Sequence, residues 1–305
     1  MQHFHSLEQV NLQNVWLTIG SFDGVHRGHR AIAEYLTAGA FAAGVPAVVL
    51  TFHPHPAVIL RDRSGSYYLT SPDERASLLG DLGVDVIITH PFNREIAGTS
   101  AGDFMRKIHH YLNPSHVLVG EDFALGHDRE GGLNVLTRLG EELGFTLTTL
   151  SPIRNDQDII SSSRIRSALA EGEVTYANNM LGRTFQIKGS VIPGDGRGRT
   201  LGIPTANLEI WPEHAVPKPG VYACYAYVGE AVKNAVVNIG VRPTFEPGGS
   251  EQHVEAHILD FNQDIYGKSI ALGFVARLRD EQRFSGIDAL VDQIQQDIKK
   301  AKTLL

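Results

Sequence analysis

The sequence has 305 residues, of which 42% are hydrophobic and 20% charged, and its net charge is −7. This length exceeds one typical hydrophobic core, so we expect two domains, and the composition excludes a largely disordered chain. The negative charge argues against nucleic acid or an anionic membrane as the main partner. Because no secretory signal and no membrane-spanning apolar run are recognisable, we expect a soluble cytoplasmic protein. The single cysteine, Cys224, predicts core packing.

The first predicted element is a buried strand over residues 15–19, followed by a glycine-rich turn and a helix from about residue 31. Residues 20–29 read Gly-Ser-Phe-Asp-Gly-Val-His-Arg-Gly-His. Free amides at a helix start favour an anion, and His26 and His29, three residues apart, can share one face. A bare H-x-G-H would favour the alternative, a tight turn with surface histidines. The full ten-residue pattern, in this strand-turn-helix context, is far more specific than a bare H-x-G-H.

The pattern G-x-F-D-G-x-H-x-G-H resembles the signature of the HxGH nucleotidyltransferases, and its Phe22-Asp23-Gly24 part resembles the bacterial FAD synthetases among them. Residues 160–166, Ile-Ser-Ser-Ser-Arg-Ile-Arg, are similar to a second element of that superfamily and open a helix predicted over 165–171. Alone, this segment would be a well-capped helix with solvated arginines. The resemblance implies an ATP site for adenylyl transfer, with His26 and His29 catalytic. Its residues are Gly20, Phe22, Asp23, Gly24, His26, His29, Ser161, Ser162, Arg164 and Arg166.

Buried strands are also predicted over residues 46–52, 84–88, 116–120 and 145–150, with helices over 71–82 and 100–112. This alternation predicts a parallel, doubly wound sheet, the Rossmann-like arrangement that the resemblance also implies. Two loops after strands, His53-Pro54-His55-Pro56 and Glu121-Asp122-Phe123, resemble FAD synthetase segments. The first of them would otherwise be a proline-stiffened loop. The resemblance implies that His55, Asp122 and Phe123 bind the flavin.

From about residue 181 the pattern changes to short strands, predicted over 185–191, 221–228, 231–239, 254–259 and 270–278. Their spacing indicates an antiparallel β-barrel or sandwich. A closing helix is predicted from Gly286 to about Lys302, with Ser285 and Asp288 forming its cap. Its predicted apolar face consists of Ile287, Leu290, Val291, Ile294 and Ile298.

Residues 194–207 contain three alternating glycines and end in Pro-Thr-Ala-Asn. Alone they indicate a flexible surface loop. The whole resembles the G-x-P-T-A-N motif of riboflavin kinases, which implies that Thr205 and Asn207 hold Mg²⁺ and nucleotide. The implied nucleotide-binding residues are Gly194, Gly196, Arg199, Thr205 and Asn207.

Three later blocks also resemble riboflavin kinases: residues 237–245, 254–261 and 278–281. The resemblance implies that Glu255 is the general base and that Arg279 and Glu281 bind the flavin in a β-barrel kinase domain. From its strand pattern alone, Glu255 would be a carboxylate at the rim of the barrel.

Both modules together resemble the bacterial bifunctional riboflavin kinase/FMN adenylyltransferases, with domains over 1–180 and 181–305. The resemblance implies phosphorylation of riboflavin to FMN and adenylylation of FMN to FAD, with ATP as co-substrate and Mg²⁺ as cofactor. The implied partners are small molecules, and the sequence neither predicts nor excludes self-association. Three alternatives are another HxGH nucleotidyltransferase fused to an unrelated β-domain, a flavin-storage or flavin-sensing protein, and a nucleic-acid-binding barrel. The last lacks the expected basic and aromatic pattern.

Overall fold

The computed structural model describes residues 1–155, 158–194, 198, 201–243 and 250–305. Contacts between Cα atoms divide the chain into two compact units, Met1–Ser162 and Ser163–Leu305. The predicted domain boundary at residue 180 lies C-terminal to this division and stays a prediction. In the described part of the chain, no helix is both long and apolar enough to cross a membrane.

The first unit is built on a six-stranded sheet in the order β1-β4-β3-β2-β5-β6, in which every pairing is parallel. Its strands are β1 (Gln2–Phe4), β2 (Val15–Ile19), β3 (Ala47–His53), β4 (Val86–Pro91), β5 (Pro114–Gly120) and β6 (Thr146–Leu150). A small antiparallel ribbon follows, formed by β7 (Arg154–Asn155) and β8 (Asp158–Ile159). The predicted doubly wound sheet is confirmed. Strand β1 was not predicted, because it is short and lacks an apolar run.

The helices of the first unit are α1 (Arg27–Ala43), α2 (Pro56–Leu60), α3 (Pro72–Gly80), α4 (Arg94–Ala97), α5 (Ala101–Leu112) and α6 (Leu133–Leu143). Apolar clusters lie on both faces of the sheet, one with α1 and α3 and the other with α5 and α6. This explains the continuous apolar runs of the central strands. Ser71 and Glu74 form the predicted capping box of α3, and Ser100 caps α5.

Helix α7 (Ser162–Glu171) begins three residues before the predicted start and is followed by α8 (Val174–Leu181), which was not predicted. Helix α8 packs against the barrel of the second unit. Asn178 Nδ2 donates to Phe274 O at 2.8 Å, and Asn178 Oδ1 accepts from the Phe185 amide at 2.7 Å. These contacts explain why the structure groups α8 with the residues that follow it.

The second unit contains a closed antiparallel barrel in the order β10-β13-β12-β11-β14-β9. Its strands are β9 (Phe185–Ile192), β10 (Ala206–Ile210), β11 (Gly220–Val228), β12 (Ala231–Pro243), β13 (Ser250–Ile258) and β14 (Ser269–Arg279). Val254, Ala256 and Ile258 of β13 are buried and alternate with half-buried polar residues, so the polar set faces outward. The predicted barrel is confirmed. Strand β10 was missed, because the Pro-Thr-Ala-Asn segment indicated a loop.

The closing helix α9 (Ile287–Lys302) packs on the outer barrel surface, where Ala301 and Ile298 join Val221, Ala223 and Leu278. Two details of its prediction were wrong. Gly286 is the N-cap residue and no side chain caps the helix, so the Ser285–Asp288 cap is absent. Ile287 is exposed, whereas the inward face includes the buried Asp297.

Candidate active sites

The first candidate site lies at the carboxyl edge of the parallel sheet. Strands β2 and β5 are neighbours, but the chain leaves them in opposite directions, β2 toward β3 and β5 toward β6. Such a switch point opens a crevice for ligands beyond the strand ends. The connection that leaves β2 carries His26 and leads into the first turn of α1 with His29. The loops that leave β3 and β5 carry His55, and Asp122 with Phe123. The fold therefore brings these predicted loops to one edge.

The turn after β2 has a fixed, unusual backbone. Phe22, Gly24 and Val25 have positive φ angles of 48°, 81° and 38°. A Cβ at Gly24 would lie 2.8 Å from Leu69 Cδ1, so glycine is required there on steric as well as conformational grounds.

The two histidines open α1 as a stacked pair. His26 is the N-cap residue, and its Nδ1 accepts from the His29 amide at 3.3 Å. The rings stack at 3.7 Å between centroids, and Phe22 packs on His29 at 5.0 Å. Imidazole nitrogens thus lie beside the first amides of a helix, which suits an anionic ligand.

Asp23 was predicted to belong to the ATP site, and the structure places its carboxylate inside the protein. It is fully buried and accepts from the amides of Leu69 and Thr70, both at 3.1 Å. Arg75, also fully buried, lies 3.8 Å from it. The Asp23 carbonyl accepts from Ser162 Oγ at 2.8 Å. These contacts support a role for Asp23 in holding the turn.

The other predicted ATP-site residues are distributed over both units. Gly20 lies directly after β2, and Ser161 and Ser162 lie at the end of the first unit. Arg164 and Arg166 belong by their contacts to the second unit, where Arg164 donates to the Tyr176 hydroxyl at 2.9 Å. Participation of the two arginines in adenylyl transfer stays a prediction.

The predicted flavin residues of the first unit have different surroundings. His55 caps α2, since its Nδ1 accepts from the Ala57 amide at 3.0 Å, and its ring meets Tyr67 edge-on. Asp122 is exposed, and Phe123 is half-buried against the core. These positions leave Asp122 and one side of Phe123 accessible to a ligand.

The second candidate site is a single row of residues across the outer wall of the barrel. Asn207 pairs with Glu255, Glu255 with Asn238, Asn238 with Val221, and Val221 with Arg279. Directly opposed residues have Cβ atoms about 5 Å apart, so their side chains form a continuous strip. The structure thus brings together three predicted residues from distant parts of the sequence.

This strip forms one wall of a pocket of about 410 Å³, a volume typical of small-molecule sites. The polar side chains that line the pocket include Thr205 and Asp297. The apolar side chains Leu290 and Ile294 of α9 also face it. Glu255 is half-buried there, with Oε1 2.7 Å from His253 Nε2. Glu281 also lines the pocket, so the predicted base and flavin residues share one cavity.

Two described glycines of the glycine-rich segment, Gly194 and Gly198, lie against Asn207 and Thr205. A Cβ at Gly194 would overlap the Asn207 amide, and one at Gly198 would overlap Ile203 O. Asn207 is 6% exposed, and its Oδ1 is buried with no hydrogen-bond partner among the residues that the structure describes. An orphaned oxygen of this kind suits a hard cation or a nucleotide-bound water. Gly196 and Arg199 lie outside the described residues.

Sequence reasoning gave no role to three residues at these sites: Arg75, Asn238 and Asp297. Asp297 carried a signal, because a carboxylate three residues after Ile294 and four before Ala301 interrupts an apolar helix face. Arg75 lies in an ordinary amphipathic helix pattern. Its burial depends on a partner, Asp23, that is distant in sequence.

Family models match both units. The model described as FAD synthetase matches residues 8–164, and the one described as riboflavin kinase matches residues 181–305. A solved structure described as a macrolide-efflux protein from Streptococcus pneumoniae superposes with a TM-score of 0.90 at 28% identity, covering 99% of this chain and 98% of that chain. That description belongs to the other protein, and the similarity lies in the fold.

The names of two curated relatives combine the same two activities that the two family models describe. A bifunctional riboflavin kinase/FMN adenylyltransferase of Bacillus subtilis (strain 168) is 37% identical, covering 98% of this chain and 95% of the relative. One of Escherichia coli (strain K12) is 37% identical, covering 96% and 93%. The chain therefore belongs to the family of bifunctional riboflavin kinase/FMN adenylyltransferases.

Proposed function

We propose that the barrel pocket of this chain phosphorylates riboflavin to FMN and that the site at the sheet edge adenylylates FMN to FAD, both with ATP. The two activities follow from family membership. The proposal assigns them to residues, and one observation carries it: Asn207 and Glu255 are directly paired on the wall of the pocket.

In the kinase reaction the terminal hydroxyl of riboflavin must lose a proton as it attacks the γ-phosphate of ATP, and ADP leaves as the bond to the β-phosphate oxygen breaks. Glu255 takes that proton as the general base, which requires hydrogen-bonding reach to the hydroxyl. Its cross-strand neighbour Asn207, with Thr205, lies beside the phosphates. The proton acceptor and the phosphate-binding groups are thus one strand apart.

In the adenylyl transfer the phosphate of FMN attacks the α-phosphate of ATP, and pyrophosphate leaves. Because this nucleophile is already an anion, the site needs no general base. It must position two anions and stabilise charge on the transferring group. His26, His29 and the first amides of α1 supply donors for that purpose, while the buried Asp23 holds their turn in place.

The donor set near Asn207 fits Mg²⁺ bound mainly through nucleotide and water. Thr205 and Asn207 offer only neutral oxygens, and the orphaned Asn207 Oδ1 can accept from a coordinated water or ligate directly. In the described residues no cluster of three or more His, Cys, Asp or Glu side chains could hold a metal ion alone. When bound, the cation neutralises charge on the ATP phosphates.

The proposal also includes a cytoplasmic location and partners that are small molecules rather than nucleic acid or membrane. The net charge of −7 supports this part of the proposal.

The test is to incubate the protein with riboflavin, ATP and Mg²⁺ and to separate the flavins by chromatography. FMN and FAD should both accumulate, and FAD alone should form when FMN replaces riboflavin. FMN without FAD would contradict the assignment of the first unit. Binding of flavin without either product would instead support a storage or sensing role.

A further inference from the structure

Helix α9 carries a buried carboxylate on the face that it turns toward the barrel. Asp297 is 3% exposed, and its two carboxylate oxygens share a bifurcated hydrogen bond from Arg279 Nε, at 2.9 and 3.1 Å. Arg279 NH2 lies 2.8 Å from Asp297 Oδ2. Gln293 Nε2, one turn earlier on the helix, donates to Asp297 Oδ1 at 3.0 Å. Both oxygens of the carboxylate are therefore engaged.

Arg279 is fixed on its other sides as well. Its NH1 donates to Asp280 O at 2.9 Å, and its Cζ lies 5.7 Å from the centre of the Phe284 ring. A guanidinium held by a two-pronged carboxylate contact has a defined plane and direction. Asp297 thus fixes where this cation points.

The pair lies at the helix end of the strip that carries Glu255. Arg279 and Glu255 are three strand steps apart, or about 14 Å along the wall at ~4.8 Å per strand. Arg279 and Asp297 line the pocket together with the apolar Leu290 and Ile294 of α9. A flavin whose hydroxyl reaches Glu255 would direct its ring toward this end.

We propose that Asp297 is a positioning residue of the kinase, which holds Arg279 and α9 in the arrangement that receives the flavin ring. The inference rests on the proposed kinase site. It adds a residue that takes no part in phosphoryl transfer itself. Removing the charge of Asp297 frees the guanidinium and loosens α9 over the wall. Riboflavin binding should weaken, while phosphoryl transfer from bound substrates persists.

The experiment compares Asp297→Asn with Asp292→Asn, a substitution at an exposed position of the same helix. Riboflavin affinity is followed by flavin fluorescence, and kcat and the KM values for riboflavin and ATP by FMN formation. Loss of charged hydrogen bonds predicts a rise of about tenfold or more in the Kd and KM for riboflavin. The ATP KM and the kcat should change less than about threefold. FAD formation from FMN should stay unchanged in both variants, and Asp292→Asn should match the parent.

A purely structural Asp297 would lower the folded fraction, reducing kcat with the riboflavin KM unchanged, and that outcome overturns the inference. If Asp297→Asn does not fold, Gln293→Ala removes one hydrogen bond to Asp297. It should raise the riboflavin KM by a smaller factor, and an unchanged KM then counts against the inference. Failure of the parent protein to make FMN would refute the proposed function itself. If Glu255→Gln lowers FMN formation but Asp297→Asn leaves the riboflavin KM unchanged, only the role of Asp297 is refuted.

Discussion

The guanidinium of Arg75 lies 3.8 Å from the carboxylate of Asp23, and both side chains are fully buried. Arg75 NH1 also donates to Thr51 Oγ1 at 3.0 Å and to Phe52 O at 3.2 Å. Thr51 Oγ1 in turn donates to Ser21 O at 2.9 Å. The turn with the two histidines is therefore held from inside the protein, by the end of β3 and by α3.

Arg75→Met should destabilise the first unit strongly, because it leaves the Asp23 carboxylate buried without its cationic partner. Breaking a buried pair in this way costs about 3–5 kcal/mol. The measurements are the free energy of unfolding of the first unit in denaturant and the rate of FAD formation from FMN. Both should fall. Arg94→Met removes an ion pair to Asp62 in which both side chains are more than three-quarters exposed, so it should cost less than about 1 kcal/mol. Equal effects of the two substitutions would show that the buried pair does not hold the turn.

Glu255→Gln should lower FMN formation by about 10²-fold or more, because the amide keeps the shape of the side chain and removes its basicity. FAD formation from supplied FMN should stay near normal. Glu230→Gln, in the exposed turn between β11 and β12, is the matched control. A normal kinase rate in Glu255→Gln would assign the base to another residue of the barrel.

His29→Ala should have the converse effect. It removes the ring stacked on His26 and a donor to the phosphates, so FAD formation from FMN should fall while the kinase persists. His110→Ala, an exposed histidine of α5, should leave both rates unchanged. Equal loss of both activities in folded His29→Ala would contradict the separation of the two sites.

Asn207→Ala should raise the Mg²⁺ concentration needed for half-maximal kinase activity, because it deletes the orphaned Oδ1 oxygen. The Mg²⁺ dependence of FAD formation should not change. Calorimetric titration of the nucleotide-free protein with Mg²⁺ should show only weak binding. A tight site without nucleotide would contradict a metal held mainly through ATP and water.

Acid should destabilise the first unit through two histidines, the buried His90 and the half-buried His116. Burial lowers the pKa of His90, the Lys107 charge lowers it further, and Glu8 partly opposes this. Burial also lowers the pKa of His116, whose ring stacks on Trp16 at 4.0 Å. The unfolded chain therefore binds more protons, and stability falls as the pH drops below the unfolded value of about 6.5. Melting temperatures between pH 7 and 5.5 should show this slope, and His90→Gln with His116→Gln should reduce it. An unchanged slope would exclude these histidines as its source.

Strongly patterned parts of this fold were predictable from the sequence. The central strands are continuous apolar runs, and the capping residues Ser71 and Ser100 mark their helices. Strand β1 and helix α8 were not predicted, because short or mixed segments become regular only through their neighbours. At the sites, the sequence predicted residue types but not the inward direction of Asp23 or the pairing of Asp297. Both depend on contacts between segments far apart in the chain.

The strip from Asn207 to Arg279 exists only when five of the six barrel strands, β10, β13, β12, β11 and β14, are paired side by side. The spatial order of these strands differs from their order along the chain. The pairing of β10 with β13 joins residues that are more than 40 positions apart in the sequence. Individual hairpins can form locally, but no hairpin contains the whole strip, and long-range pairing of this kind is slow. During refolding, the return of kinase turnover therefore reports that all five strands have paired, and a dichroism signal regained earlier would report only individual hairpins.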